Sequence, residues 1–107
     1  MTRPGKILRV HISETDRFAG KPLYEAIVER CRELKIAGAT VFLGLEGYGE
    51  TAAIHKAHIV KSDRPVVITI VDAHERIEAL IPVVAGMLET GLIASSEVEM
   101  IRVEKDA

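Results

Sequence analysis

The stretch RPVVITIVD, residues 64–72, decides how the rest of the chain is read. At its centre, VVITIV (66–71) is β-branched at every position. Such residues lose side-chain freedom in a helix and pack well on a pleated surface, so the run predicts a strand. Val66, Ile68 and Ile70 fall on one face, and Val67 and Val71 on the other. A strand that is apolar on both faces predicts burial on both. Asp72 follows at once and forms with Glu75 a D-x-x-E pair of the kind that opens a helix. From there Ile77, Leu80, Ile81, Val84 and Leu88 recur at helical spacing, and Gly91 is the predicted stop. Pro82 lies inside this stripe and predicts a kink, because it removes the hydrogen bond to the carbonyl of Glu78.

Toward the N-terminus, KILRVHI (6–12) alternates, with Leu8, Val10 and Ile12 opposite Ile7, Arg9 and His11, and reads as a strand. SETDRFAGK (13–21) is a polar loop, and Pro22 stands where a helix readily begins. Leu23, Ile27, Cys31 and Leu34 then form an apolar stripe opposite Glu25, Glu29, Arg32 and Glu33, with Gly38 as the predicted stop. ATVFLGL (39–45) is a second strand, with Val41, Leu43 and Leu45 opposite Phe42, and SEVEMIRV (96–103) is the last. The order β-α-β-β-α-β predicts an α+β, ferredoxin-like two-layer sandwich, one domain over residues 1–107. Two helices cover one face of such a sheet. An apolar second face left bare is rare in soluble monomers, so the pattern predicts a homo-oligomer whose open faces pack together, and a closed ring suits that geometry.

Composition narrows the function. The 107 residues are 48% apolar, enough for a core without disulfides, and carry 14 basic and 16 acidic residues for a net charge of −2. This mixed charge gives no nucleic-acid footprint, and two Phe, two Tyr and no Trp supply few aromatics for stacking on bases. Cys31 is the only cysteine, which rules out an intrachain disulfide and a CxxC site. Arg9 and His11 interrupt the first apolar run, so it does not read as a signal peptide, and no run approaches the length of a membrane span. A cytoplasmic protein without membrane insertion is expected. The chain contains no Asn and no Gln, which closes mechanisms that need a side-chain amide.

The stretch GLEGYGETAAIHKAHIV (44–60) is where chemistry could reside. Gly44, Gly47 and Gly49 match neither a phosphate-binding P-loop nor the G-x-G-x-x-G order of dinucleotide folds. They would let a backbone approach an anion closely, and they would equally serve an idle turn; spacing leaves both readings open. His55 and His58 could hold zinc or copper with Glu46 or Glu50 if the segment were helical, but in a strand they would point apart. Cys31, mid-helix, reads as a core residue, and His11 and His74 as surface or interface residues. Arg17 and Phe18 suggest an acylphosphatase loop, but that family's catalytic asparagine has no counterpart here. Ser13, Ser62, Ser95 and Ser96 lack a nucleophile context, and Glu97 and Glu99 read as solvated. Nothing demands an enzyme.

The segments GKPLYE (20–25) and GATV (38–41), followed by the glycine-rich stretch, the Ile54-His55 pair, RPVVITIVD and VEMIRV, resemble the PII-like proteins grouped in UPF and DUF families of unknown function. The resemblance runs from about Lys6 to Val103. It implies a PII-like homotrimer with a regulatory role, requiring no cofactor, that binds an adenine nucleotide in the clefts between subunits. It also implies that the loop between the second and third strands, about 47–57, reshapes on binding and contacts a target protein, a membrane transporter being one kind. The nucleotide-binding residues implied are Gly44, Glu46, Gly47, Tyr48 and Gly49 at the loop's start, His55, Lys56 and Lys61 at its exit, and Arg102 at the end of the last strand. The glutamine that PII proteins place near the loop base is absent, and Ala53 stands where related sequences tend to carry arginine, which favours AMP over a triphosphate. Two other readings are a trimer that responds to divalent metal through His55 and His58, similar to the cation-tolerance relatives of PII, and an interaction trimer without a ligand.

Overall fold

The computed structural model describes residues 2–47 and 63–105. In chain order its elements are β1 (Thr2–Ser13), β2 (Arg17–Phe18), β3 (Lys21–Pro22), α1 (Leu23–Glu33), β4 (Gly38–Leu43), β5 (Pro65–Ala73), α2 (His74–Ala85) and β6 (Leu92–Ile101). The four long strands form one antiparallel sheet in the order β4-β5-β1-β6, with β1 and β5 central. This is the ferredoxin-like arrangement that the element order predicts.

The core lies between the helices and one face of the sheet. Leu8, Val10 and Ile12 of β1 and Val66, Ile68 and Ile70 of β5 meet Leu23, Ile27 and Cys31 of α1 and Ile77, Leu80 and Val84 of α2. Each of the larger aliphatic side chains contributes about 1.5–3 kcal/mol through its removal from water. Cys31 is a core residue, and burial pushes its thiol above the ordinary value. The alternate residues of β5, Val67, Thr69 and Val71, are only half-buried, since the helices reach one face alone.

Several local expectations are corrected. The polar loop contains the short β2–β3 hairpin, turned at Ala19 (φ 49°) and Gly20 (φ 83°). Consecutive positive φ values match the twist of a two-residue hairpin. Helix α1 ends at Glu33 rather than at Gly38, and Leu34 is already 38% exposed. Its terminus is a Schellman motif: Lys35 adopts φ 58°, the Ile36 amide donates to the Cys31 carbonyl (3.0 Å), and the Lys35 amide donates to the Arg32 carbonyl (3.0 Å). Gly38 instead begins β4. Helix α2 runs through Pro82 for its last turn and stops at Ala85, with Gly86 as its cap, well before Gly91.

Asp72 does not cap α2. Strand β5 continues past VVITIV, so Asp72 keeps its register and turns toward the helix side, and Ala73 takes the cap position. There its carboxylate accepts hydrogen bonds from the amides of Ala73 (2.6 Å) and Ala37 (2.9 Å) and from Arg76 Nε (2.9 Å). Arg76 also donates to the Leu34 carbonyl (2.8 Å) and to the Lys35 carbonyl. One carboxylate and one guanidinium thus tie the end of α1 and the start of β4 to the start of α2. Burial opposes ionisation of Asp72, but the amides of Ala73 and Ala37 and the side chain of Arg76 outweigh it, and its carboxyl sits below the ordinary value of 3.8.

Asp72→Ala is expected to cost about 2–3 kcal/mol in urea unfolding at neutral pH, because it leaves the Ala37 amide and Arg76 Nε without their acceptor. Since the folded carboxyl titrates below the unfolded one, its contribution is complete above the ordinary value and is lost as pH falls through the folded value. The stability gap between wild type and variant should therefore narrow on acidification.

Candidate functional site

At one end of the sheet the chain leaves β4 after Leu43, which pairs with Val66, and it returns through Asp63, Arg64 and Pro65. The Gly44 amide donates to the Pro65 carbonyl (2.7 Å) and so adds one more rung to the β4–β5 ladder. A Cβ on Gly44 would meet Pro65 Cγ at 2.7 Å and the Pro65 carbonyl oxygen at 3.2 Å. Gly44 is thus a glycine because the proline ring lies against it, and its N–H is already engaged. Leu45, Glu46 and Gly47 follow on the surface, with Leu45 92% exposed.

The returning segment is held by the turn after β1. Ser13 Oγ and Thr15 Oγ1 (3.1 Å) both hydrogen-bond to Asp63 Oδ1, and the Glu14 amide donates to the Arg64 carbonyl (2.8 Å). Among the described residues, the buried Glu14 Oε1 has no hydrogen-bond partner, and Arg64 Nε lies 3.5 Å away, close enough for an ion pair. Asp16 closes the turn by accepting the Ser13 amide (2.9 Å), while its own amide donates to the Ser13 carbonyl (3.1 Å). The signal for this turn was the run of Ser, Glu, Thr and Asp, residue types that bond to nearby backbone.

Of the residues singled out in the sequence, Gly44, Glu46 and Gly47 gather at this loop base. Arg102 does not join them in the same protomer. Leu43 lies beside Val66, whose partner on β1 is Ile12, whereas Ile101 pairs with Thr2 at the far end. Ile12 and Thr2 are about 33 Å apart along β1 at the usual rise per residue. Tyr48, Gly49, His55, Lys56, His58 and Lys61 lie outside the described residues. Among the described residues, no three His, Cys, Asp or Glu side chains form a metal-binding group. His11 is exposed, and His74 Nδ1 lies 2.8 Å from Glu97 on the helix side of the sheet.

The face of the sheet that the helices leave open is set by the register. Thr40, Thr69, Arg9 and Ala94 form one row across it, and Phe42, Val67, His11 and Leu92 form the next. Ile7, Val71 and Ser96 lie on the other side of the Arg9 row. Phe42 on the β4 edge is 55% and Leu92 on the β6 edge 62% exposed, so apolar side chains stand uncovered at both edges of this face. Among the described residues, no helix is long and apolar enough to cross a membrane.

Comparison with known proteins gives a consistent picture. The model of the family DUF190, described as "Uncharacterized ACR, COG1993", matches residues 5–100. A UPF0166 protein from Aquifex aeolicus is 41% identical over 98 residues, covering 90% of this chain and 92% of its own. A UPF0166 protein from Methanocaldococcus jannaschii is 31% identical over 101 residues, covering 92% and 94%. Among solved structures, a protein from Thermus thermophilus assigned as PII-like signalling superposes with a TM-score of 0.66 at 10% identity, covering 94% of this chain and 92% of its own. CPII, a nitrogen regulatory PII-like protein from Thiomonas intermedia solved with ADP, AMP and bicarbonate, superposes with a TM-score of 0.61 at 15% identity, covering 95% and 92%. The resemblance drawn from the sequence therefore holds for the fold, which is PII-like.

Gly44→Ala places a methyl group inside contact distance of the Pro65 ring and carbonyl. Chemical denaturation should show a loss of about 1–3 kcal/mol, the usual range for overpacking a tight site. An unchanged midpoint would show that the loop base yields at no cost.

Proposed function

The chain belongs to the DUF190 (UPF0166) family, and from that premise we propose that it is a PII-like regulatory protein, not an enzyme, that binds an adenine nucleotide in clefts between the subunits of a cytoplasmic homotrimer. Nucleotide binding reorders the segment between β4 and β5, and that segment relays the state to a target protein. The observation that carries this reading is the PII-like fold with one sheet face left open and apolar beside the loop base. Covering that face needs further copies of the chain, and copies in contact create clefts at the sheet edges where β4 ends. The ADP and AMP present in the CPII structures supply the class of ligand.

In this reading Gly44 shapes the cleft wall against Pro65, and the backbone at Glu46, Gly47, Tyr48 and Gly49 approaches the phosphate. His55, Lys56 and Lys61 lie at the loop's exit. Arg102 is too far from the loop base of its own protomer, so a neighbouring copy supplies it. An arginine fork can take a phosphate with two parallel hydrogen bonds, which a lysine cannot. The exposed Glu46 carboxylate at the loop base repels additional negative charge, and this favours AMP over ADP and ATP.

Calorimetric titration of the protein with AMP, ADP, ATP and cyclic AMP tests the proposal. The expected result is one site per chain, tightest for AMP, and Arg102→Ala should weaken it about 10- to 100-fold, as loss of a charged hydrogen bond does. Flat titrations with all four nucleotides would end the reading.

A further inference from the structure

The open sheet face has a charge pattern that apolar packing alone does not explain. Its positions on β1, β4, β5 and β6 carry Arg3, Arg9 and His11 but no aspartate or glutamate; Glu97 and Glu99 of β6 fall on the opposite face. Arg9 stands near the middle, on a central strand, with Thr69 and Thr40 beside it on one side and Ala94 on the other. Around that row lie Ile7, Val71, Val67, Phe42 and Leu92. Among the described residues, no carboxylate pairs with Arg9; the ion pairs lie on the helix side and at the loop base.

A guanidinium is always charged, and burying one without a partner is costly. If copies of the chain cover this face around a rotation axis with the middle of the face nearest the axis, Arg9, on a central strand in the middle of the face, approaches its own counterparts. Among the described residues, the face holds no acid to neutralise them. The threonine hydroxyls in the same row can donate hydrogen bonds but carry no charge.

We propose that the Arg9 side chains of neighbouring copies, together with the hydroxyls of Thr69 and Thr40, form a binding site for a small inorganic oxyanion at the centre of the packed sheet faces. The inference rests on the oligomer proposed above. An oxyanion fits because its several oxygens can each accept from a different guanidinium or hydroxyl, and its charge offsets like charges that would otherwise repel. This site is separate from the nucleotide cleft, since Arg9 lies on the sheet face and Glu46 and Gly47 lie beyond the end of β4.

The test is thermal unfolding of the full chain as sodium chloride is replaced by millimolar sodium phosphate or sodium sulfate at constant ionic strength, with native mass spectrometry counting the chains. Wild type should be oligomeric, and its Tm should rise by about 3–8 °C, since an ion bound to the folded state alone stabilises it. Arg9→Met should remain oligomeric, melt no lower than wild type in chloride, and lose the rise; Arg9→Lys, which keeps the charge, should retain part of it. An oligomer whose Tm does not respond, or one in which Arg9→Met responds as fully as wild type, would overturn the site and leave the oligomer standing. Monomeric wild type would instead remove the oligomer reading, and the site with it.

Discussion

Two helices cannot cover two faces of a four-stranded sheet. In this chain α1 and α2 bury Leu8, Val10, Ile12, Val66, Ile68 and Ile70 on one face and leave Phe42, Val67 and Leu92 on the other. The apolar effect scales with area removed from water, so covering this face is a gain still open to the folded protomer. The functional reading follows from how that gain is realised. If copies of the chain supply the cover, the sheet edges become subunit boundaries, and the end of β4 lies at one of them.

The rest of the fold positions that edge. The Asp72–Arg76 pair joins the turn between α1 and β4 to the start of α2, which fixes the far end of β4 relative to the helices. At the near end Gly44 extends the ladder against Pro65, and Ser13 and Thr15 hold Asp63. Both ends of the connecting segment are thereby anchored to the sheet.

The sequence made the fold legible through period and branching. VVITIV could only be a strand, and the six-element order followed from patterns of period two and 3.6. Boundaries were less legible, because tertiary context sets them. Gly38 looked like a helix stop, but a Schellman turn with Lys35 at positive φ came earlier, and positive φ in a lysine has no sequence signature. Asp72 looked like a helix cap because D-x-x-E is a local pattern. Its actual partners include Ala37, remote in sequence, which no local pattern can reveal. The candidate site was legible only in part. Gly44 reads equally as a ligand contact or as packing until Pro65 is seen against it, and the separation of Arg102 from the loop base appears only with the strand register. The charge asymmetry of the open face likewise needs the register, since Arg9 and Glu97 look equally polar in the chain.

The central claim is that the open sheet faces pack against one another in a closed oligomer. Sedimentation equilibrium of the wild-type protein at micromolar chain concentration tests it most directly. The account predicts a single species of about three times the 11.7 kDa chain mass, stable on dilution. A species at 11.7 kDa across the concentration range would contradict it, because the face carrying Phe42 and Leu92 would then stand bare in water.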